Sequence, residues 1–243
     1  MSNGIKNFLD SILNTVFVKK CVSCKELLAH DSERMLCDAC FEEWEDAKSE
    51  VCPDCLKEQI DCRCGVKSRY VDSVRHLALY SHYHTDSVPN RIVYALKRSN
   101  NDSVFDFVSD EMIKLLLPKT VYGNTVCVGV PRNPKAIRKY GYDHAKLLAR
   151  IVAKKLGVEY ADVLGHNGGR VEQKTLNSEQ RIVNARKNCY VIPSMADCIK
   201  GKRVLLIDDI ITTGASLSIC AELLKNNGAL RVDCIVAARN ERN

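Results

Sequence analysis

The sequence predicts an α/β protein in which a doubly wound, mainly parallel sheet follows a small cysteine-rich N-terminal domain. Two apolar, β-branched runs at 125–130 and 204–207 have the composition of strands buried on both faces. Stretches of helical composition separate the strand candidates, as in open sheets with helices on both faces. Eight of the thirteen cysteines fall between Cys21 and Cys64. We therefore expect two domains, 1–66 and 67–243.

Composition and charge narrow the function classes. A hydrophobic content of 46% excludes wholesale disorder. No apolar run approaches the roughly 20 residues that cross a bilayer, and residues 1–20 lack the features of a signal peptide. We expect a cytoplasmic protein with no membrane insertion. Residues 1–64 hold 8 Lys and Arg against 13 Asp and Glu, although the whole chain has a net charge of +6. The basic surplus therefore lies after residue 64, where it suits anionic substrates or nucleic acid.

The first predicted element is an amphipathic helix. Apolar side chains recur at intervals of three and four residues from Ile5 to Phe17. Few cations lie on its polar face, so the pattern does not indicate a membrane-surface helix. We expect its apolar face to dock on the chain's own body or, alternatively, in the groove of a partner.

Four cysteine pairs follow, with the short spacings of metal-binding loops: Cys21-x2-Cys24, Cys37-x2-Cys40, Cys52-x2-Cys55 and Cys62-x-Cys64. In a reducing compartment such pairs indicate a metal rather than disulfides, and the spacing is typical of zinc. We predict two structural Zn²⁺ ions with four thiolates each, paired in sequence or as an interleaved cross-brace. One zinc ion with spare cysteines is the alternative. The acidic module is unsuited to DNA and is expected to dock partners or brace the larger domain.

Strand and helix signals alternate through the rest of the chain. We predict strands at 71–80, 125–130 and 231–237, and helices at 89–97, 105–117 and 145–156. Asp143 and Gly157 are suited to cap the last of these helices. The basic pair Lys97 and Arg98 either complements a helix dipole or reaches a substrate phosphate.

A group of cations follows the strand at 125–130. Arg132, Lys135, Arg138 and Lys139 occur within a few residues, which predicts a basic loop. Such a loop suits a polyanion such as pyrophosphate. A solvated basic loop without a ligand is the alternative.

The segment 204–216 has the strongest functional pattern. A buried strand is followed by Asp208 and Asp209, then by the small, polar residues 212–216, which we call the hydroxyl loop, and then by a helix. We expect the carboxylates to end the strand and emerge at its carboxyl edge, where ligands bind in open α/β sheets. A helix N-terminus binds phosphate, and paired carboxylates suit ribose hydroxyls or Mg²⁺. The pattern predicts a sugar 5-phosphate site; an ordinary acidic strand end before a helix is the alternative.

This segment resembles the phosphoribosyl pyrophosphate (PRPP) motif of type I phosphoribosyltransferases, which has four apolar residues, two acids, two apolar residues and Thr-Thr-Gly-small-Ser/Thr. The resemblance implies that Asp208 and Asp209 hold the ribose hydroxyls and act at the cation-like transition state. It implies that the 5-phosphate is held by Thr212, Thr213, Gly214, Ala215 and Ser216. In such an enzyme Arg132, Arg138 and Lys139 would stabilise the diphosphate together with Mg²⁺.

The resemblance extends to one branch of that superfamily. The cysteine pairs, the strand ending in Val130-Pro131 and the stretch from Arg138 to His144 are similar to the ComF family of competence-associated bacterial proteins. Asp143-His144 departs from the Asn-Gln that is commoner there. In phosphoribosyltransferases a mobile loop closes over the reaction centre, which implies that role for Arg170, Gln173, Lys174 and Arg181. An ordinary surface loop is the alternative.

Three functions are compatible with these features. The first is an enzyme that transfers the phosphoribosyl group of PRPP to an unidentified acceptor and releases pyrophosphate. The second is a regulator that binds PRPP or a nucleotide without turnover. The third is an adaptor that binds single-stranded DNA and associates with a competence helicase or other DNA-uptake proteins. Glutamine-dependent amidotransfer is not expected, because no glutaminase domain fits the sequence.

Overall fold

A five-stranded parallel sheet forms the centre of the described part of the protein. The computed structural model describes residues 19–29, 31–52, 54–58, 61–62, 64–81, 86–98, 102–116, 123–168 and 187–240. The strands are β1 (Ser73–Tyr80), β2 (Thr125–Gly129), β3 (Glu159–Tyr160), β4 (Leu164–His166), β5 (Cys189–Val191), β6 (Arg203–Ile211) and β7 (Arg231–Asn240). The helices are α1 (Asp38–Ser49), α2 (Val88–Arg98), α3 (Asp102–Leu116), α4 (Pro134–Tyr140), α5 (His144–Leu156) and α6 (Ala215–Asn226), with a 3₁₀ helix at Pro193–Ile199.

The sheet has the order β1-β7-β6-β2-β3, and every neighbouring pair of strands is parallel. β4 and β5 form a separate antiparallel pair. Side chains alternate along β6: Leu205 and Ile207 pack on one face, and Val204 and Leu206 pack on the other. The first face is covered by α1, α2, α3 and α5, and the second by α6 and the 3₁₀ helix. This arrangement confirms the predicted doubly wound, mainly parallel α/β fold.

The central strands differ in length, and this difference creates a notch. β2 ends at Gly129, opposite Ile207, and the Val130 N–H donates to the Ile207 carbonyl at 2.9 Å. β6 continues to Ile211, because β7 still pairs with it there through Arg239. The expectation that the two aspartates end the strand is therefore wrong. They lie within β6, on the part that extends beyond β2.

The helix α4 replaces the predicted basic loop after β2. Its first residue is Pro134, and the Asn133 side chain accepts a hydrogen bond from the Lys135 N–H at 2.9 Å. Gly141 ends the helix with a φ of 84°, a left-handed conformation that glycine adopts readily. The cations Lys135, Arg138 and Lys139 are exposed on this helix. The loop prediction is wrong because an asparagine cap followed by a proline starts this helix without an apolar periodic face.

Most other predicted elements are present. The Asp143 carboxylate caps α5 by accepting the Lys146 N–H at 3.2 Å, and Gly157 ends it at a φ of 66°. The predicted N-terminal helix between Ile5 and Phe17 lies outside the described residues. Among the helices that are described, none has both the length and the apolar character needed to cross a bilayer.

The cysteine-rich segment is packed into the same core as the sheet. Trp44 of α1 is buried, and its ring lies 5.5 Å from that of Phe107 on α3. Its indole N–H donates to the Glu111 carboxylate at 2.9 Å, and Lys48 Nζ lies 2.8 Å from the same carboxylate. α1 and α3 are therefore joined by a buried polar network as well as by apolar contact. The division of the chain at residue 66 stays a prediction.

Candidate functional site

A cavity of about 270 Å³ opens where β6 extends beyond β2. Its walls are the segment after β2, the end of α2, the start of α5, parts of β4 and β5, and the acidic end of β6 with the hydroxyl loop. This volume is near the lower end of the roughly 300–1,000 Å³ typical of small-molecule sites. The lining combines carboxylates, cations, imidazoles and hydroxyl groups. The cavity lies at the carboxyl edge of the parallel sheet, where such folds bind their ligands.

The two aspartates of β6 form the acidic wall of the cavity. Both are half-buried, and each carboxylate accepts a hydrogen bond from the N–H of the residue that follows it. The Asp209 N–H donates to Asp208 at 2.8 Å, and the Ile210 N–H donates to Asp209 at 2.8 Å. These local bonds fix the carboxylates in place while leaving them free acceptor capacity.

Burial and neighbouring charges shift the pKa values of the two aspartates in opposite directions. Burial, together with the charge of Asp209, raises the pKa of Asp208 well above its usual value. Burial also acts to raise the pKa of Asp209, but the charges of Lys97 and Arg132 outweigh it and hold that pKa below its usual value. Lys97 Nζ lies 3.9 Å from Asp209 Oδ2. The wall therefore presents one carboxylate held ionised by cations and one that retains a proton more readily.

Arg132 forms the cationic wall together with the start of α5. Its backbone N–H donates to Asp143 Oδ2 at 3.1 Å, and its guanidinium contacts the buried imidazole of His144. The His144 ring lies 4.3 Å from that of Tyr142. Burial lowers the pKa of His144, and a backbone hydrogen bond at Lys97 acts the other way. A neutral imidazole can accept from Arg132, so these contacts orient the guanidinium beside the cavity.

The hydroxyl loop ends at the first turn of α6. Gly214 precedes this helix with a φ of 73°, and the Ala215 N–H donates to the Thr213 hydroxyl at 3.4 Å. Thr212 and Ser216 line the cavity, on either side of this turn. The loop therefore presents hydroxyl groups and the positive end of the helix dipole to the same space as the carboxylates.

The structure brings together only part of the predicted PRPP set. Asp208, Asp209, Thr212, Ser216 and Arg132 line one cavity, and Thr213, Gly214 and Ala215 form the turn beside it. Arg138 and Lys139 are exposed on α4 and are absent from the lining formed by the described residues. The predicted mobile-loop residues Arg170, Gln173, Lys174 and Arg181 lie outside the described residues.

Several lining residues were not assigned to the site from the sequence. Asn133, His144, His166 and Cys189 all contribute to the cavity. The His166 ring accepts the Gly168 N–H at 2.9 Å, and burial lowers the pKa of His166. These residues come from four separate segments, so no local spacing indicated their proximity. For Lys97 the sequence did indicate a contact with the site, because a lysine at a helix end can either complement the helix dipole or reach a substrate phosphate.

Two cysteine clusters lie outside this cavity. We call Cys21, Cys24, Cys37 and Cys40 the first cluster, and Cys52, Cys55, Cys62 and Cys64 the second. Within each cluster the four sulfur atoms lie within 4.8 Å of one another. The Cys24–Cys37 and Cys55–Cys62 sulfur distances are 3.6 Å and 3.7 Å, close to the about 3.8 Å of a tetrahedron with 2.3 Å metal–sulfur bonds. The grouping is sequential rather than interleaved, and each cluster can hold a metal ion.

The thiols of each cluster are suited to a cation. Burial acts to raise the pKa of Cys21, but backbone N–H groups beside it lower that pKa to about 7. Cys52 behaves in the same way in the second cluster, where the Cys62 thiol and backbone N–H groups lower its pKa to about 7. Burial raises the pKa of Cys37 and of Cys62. Four thiolates so close together require a positive ion, which thiolate-binding metals supply.

An arginine from the sheet or its helices reaches a sulfur atom in each cluster. Arg91 of α2 lies with its guanidinium 3.7 Å from the Cys40 sulfur and donates to the Ser23 hydroxyl at 2.8 Å. Arg239 of β7 donates to the Cys52 sulfur at 3.2 Å. Donors of this kind commonly support metal-bound ligands from a second layer of contacts.

The chain is similar in sequence to one family model and to two curated proteins. Residues 143–243 match the family model described as Phosphoribosyl transferase domain. Over 214 residues the chain is 26% identical to the Competence protein ComFC of Streptococcus pneumoniae (strain ATCC BAA-255 / R6), covering 84% of this chain and 87% of that protein. Over 119 residues it is 32% identical to the Orotate phosphoribosyltransferase of Pyrococcus abyssi (strain GE5 / Orsay), covering 45% of this chain and 61% of that protein.

The chain also aligns with solved phosphoribosyltransferase structures at low identity. The adenine phosphoribosyltransferase from Thermoanaerobacter pseudethanolicus ATCC 33223 aligns at 16% identity with a TM-score of 0.36, over 57% of this chain and 82% of that chain. The strand order and the domain match over residues 143–243 define the fold.

Proposed function

We propose that this chain is a ComF-like protein with a type I phosphoribosyltransferase domain and that it binds PRPP in the cavity beside β6. One observation carries the proposal. Asp208 and Asp209 face the same cavity as Thr212 and Ser216, at the first turn of α6. The carboxylates can accept hydrogen bonds from the ribose hydroxyl groups, and the N-terminus of α6 can bind the 5-phosphate. The two groups of residues therefore match the two ends of a ribose 5-phosphate.

The cations beside the cavity suit the diphosphate of PRPP. Arg132 is oriented by His144 and Asp143, and Lys97 lies close to Asp209. A guanidinium held in place this way forms charge-assisted hydrogen bonds with phosphate oxygens. Arg138 and Lys139 would need to act from outside the cavity, and Arg132 is therefore the principal diphosphate residue in this proposal.

The same residues support phosphoribosyl transfer to an acceptor with release of pyrophosphate. In such a reaction the bond from the ribose anomeric carbon to the diphosphate breaks as the acceptor forms its bond to that carbon. Arg132 would stabilise charge on the departing diphosphate, and the ionised Asp209 would stabilise positive charge developing on the ribose. The carboxylate oxygens of Asp208 and Asp209 are of the type that Mg²⁺ prefers, and Mg²⁺ would neutralise diphosphate charge when bound with PRPP.

The cysteine clusters have a structural role in this proposal. We expect one Zn²⁺ in each cluster, because four thiolates at tetrahedral distances form closed sites without an open position for a substrate. Such clusters need reduced thiols, which agrees with the cytoplasm as the compartment.

The binding experiment is calorimetry with PRPP and Mg²⁺. We expect wild-type protein to bind and an Asp208→Asn/Asp209→Asn variant to lose most of the affinity. Asp197→Asn is the matched control, because Asp197 is an exposed aspartate on the 3₁₀ helix and pairs only with Lys200 in the described contacts. Wild-type protein that shows no heat of binding would refute the proposal.

Release of pyrophosphate distinguishes transfer from regulation. A panel of bases and amines is incubated with PRPP, Mg²⁺ and the protein, and pyrophosphate is measured with a coupled assay. Acceptor-dependent release that disappears in the double aspartate variant supports an enzyme. Tight PRPP binding without release by any acceptor supports a regulator that uses the same cavity.

A second candidate function is an adaptor that binds single-stranded DNA. The exposed cations Lys135, Arg138 and Lys139 on α4 favour it, and ComFC, which the chain resembles, is described as a competence protein. DNA affinity that falls steeply with salt, and that falls further when these three residues are replaced by glutamine, would support it. A competence helicase or other DNA-uptake protein would be the protein partner in that case.

A further inference from the structure

We propose that a metal ion in the second cluster fixes the hydroxyl loop through Arg239 and Gly65, so that metal binding and PRPP binding strengthen each other. The inference rests on the proposed PRPP function and adds to it a means of control. Three consecutive contacts connect the cluster to the loop.

The first contact joins the second cluster to the end of β7. Arg239 is fully buried, and one nitrogen of its guanidinium donates to the Cys52 sulfur at 3.2 Å. The other terminal nitrogen donates to Asp54 Oδ2 at 2.8 Å, two residues further along the chain. A buried guanidinium is stable only with a negative partner. The position of Arg239 is therefore tied to the charge of the cluster.

The second contact joins Arg239 to Gly65, which directly follows Cys64. Gly65 has a φ of +105°, and a Cβ at this position would lie 3.0 Å from Arg239 Cδ and 3.3 Å from Ile211 Cγ2. The stem of Arg239 and the last residue of β6 thus pack directly on the backbone of Gly65. Displacement of Arg239 would remove one side of this support.

The third contact joins Gly65 to the hydroxyl loop. A Cβ at Gly214 would lie 2.4 Å from the Gly65 carbonyl oxygen and 2.9 Å from Val66 Cγ2. The turn that begins α6 therefore rests on the two residues that follow the second cluster. No side chain separates the two backbones at this point.

The charge of a bound metal explains the direction of the effect. A divalent ion with four thiolates has a net charge of about −2, which stabilises the buried Arg239. When the ion leaves, the four sulfur atoms are no longer held together, so Arg239 loses a fixed partner at Cys52 and keeps its contact with Asp54. The packing of Arg239 on Gly65, and of Gly65 on Gly214, then becomes less well fixed. PRPP must order the hydroxyl loop when it binds, which lowers its affinity. By linkage, PRPP must increase metal affinity by the same factor.

The first cluster serves as an internal control. Arg91 contacts its Cys40 sulfur in the same way that Arg239 contacts Cys52, but the atoms nearest to a Cβ at Gly65 belong to Arg239 and Ile211. Loss of metal from this cluster is expected to leave the contact between Gly65 and Gly214 in place.

The experiment uses full-length, zinc-loaded protein and has two arms. In the first arm, PRPP affinity is measured by calorimetry for Cys55→Ser/Cys64→Ser and for the matched first-cluster variant Cys24→Ser/Cys37→Ser. We expect the second-cluster variant to bind PRPP about 5- to 50-fold more weakly, within the usual range of coupling between sites. We expect less than a twofold change in the first-cluster variant. Equal effects in both variants, or none in either, would overturn the coupling.

In the second arm, zinc release to a chromogenic chelator is followed with and without PRPP and Mg²⁺. We expect PRPP to slow the loss of one of the two ions in wild-type protein and to have no effect in Arg239→Gln. Arg239→Lys keeps the charge and should restore part of the protection, which a purely structural role would not produce. This arm does not use the double serine variants, so it still tests the coupling if those variants fail to fold. Wild-type protein that does not bind PRPP would refute the proposed function itself, whereas binding without protection of zinc would overturn the coupling alone.

Discussion

Lys97 Nζ lies 3.9 Å from Asp209 Oδ2, so the last turn of α2 reaches the acidic end of β6 at the candidate site. Burial alone would raise the pKa of Asp209, and the cations Lys97 and Arg132 reverse that effect. The ionised state of this carboxylate therefore depends on a residue of α2 that is distant in sequence from β6.

Replacing Lys97 should shift the pH dependence of PRPP binding. In Lys97→Met the pKa of Asp209 rises, so binding that needs the ionised carboxylate is lost at a higher pH as the solution is acidified. We expect the midpoint of PRPP affinity against pH to move upward, with the largest loss at the acidic end. Calorimetry from pH 3.5 to 7 measures this, because the pKa of Asp209 in the wild type lies below its usual value. Lys97→Arg, which keeps the charge, should retain the wild-type midpoint, and a parallel loss of affinity at every pH would contradict the explanation.

Arg132 and Arg138 should differ in their contribution to PRPP binding. Arg132 lines the cavity and contacts His144, whereas Arg138 is exposed on α4. Hydrogen bonds to charged groups contribute about 1.5–3 kcal/mol, so Arg132→Met should weaken binding by roughly 10- to 150-fold. Arg138→Met should weaken it by less than about threefold, because a solvated cation at a distance is screened. Equal losses in the two variants would show that α4 moves to the ligand.

The left-handed turn at Gly214 should be sensitive to a single methyl group. Gly214→Ala meets both an unfavourable φ of +73° and the Gly65 carbonyl oxygen, whereas Gly228→Ala has a φ of +96° and meets mainly the flexible Lys200 side chain. Left-handed strain costs roughly 1–2 kcal/mol, so Gly228→Ala should lose about that much stability and keep its PRPP affinity. Gly214→Ala should lose more stability, and its PRPP affinity should fall. Urea unfolding and calorimetry measure the two quantities.

The buried Glu111 should be important for stability. Burial acts to raise its pKa, but the hydrogen bonds from Lys114, Lys48 and Trp44 lower it, so the carboxylate is ionised at neutral pH. Removing one partner of a buried pair typically costs about 3–5 kcal/mol, which we expect for Glu111→Ala in urea unfolding. Arg34→Gln is the control, since its ion pair with Asp38 is exposed and should contribute less than about 1 kcal/mol. Similar losses in both variants would count against the network.

His76 should make the protein less stable in mild acid. Burial, aided by the charge of Arg239, lowers the pKa of His76 to about 3. The imidazole binds a proton below about pH 6.5 in the unfolded state but only near pH 3 in the folded state. The protein therefore has its full stability above about pH 6.5 and loses stability as the pH falls towards 3. At pH 5 the expected cost is about 2 kcal/mol. Urea unfolding at pH 7.5 and pH 5 should show a smaller difference for His76→Gln than for wild type, with zinc content checked in both.

Features set by local sequence were predictable. The caps of α5 at Asp143 and Gly157 depend only on neighbouring residues, and both are present. The cysteine spacings likewise predicted two four-sulfur groups, and the fold joins the pairs in sequence. The carboxylates, the hydroxyl loop and the start of the helix lie within one short segment. Their proximity in the cavity was therefore predictable from the sequence alone.

Features set by distant contacts were not predictable. The extension of β6 beyond its acidic pair depends on β7, which still provides a partner at Arg239. The proximity of His144, His166 and Cys189 depends on how separate segments pack, and no spacing in the sequence encodes it. α4 was missed because it is short, carries three cations and has little apolar periodicity.

The hydrogen bond between the Trp44 indole and the Glu111 carboxylate makes the cysteine-rich segment and the rest of the described chain mutually dependent. A fragment that starts at residue 67 would keep Glu111 without its indole and Lys48 donors, and would expose the face of Phe107 on which Trp44 packs. Chimeras that exchange the cysteine-rich segment between relatives should therefore succeed only when α3 is exchanged with it. The cysteine-rich segment and α3 behave as one structural unit, although they are distant in sequence.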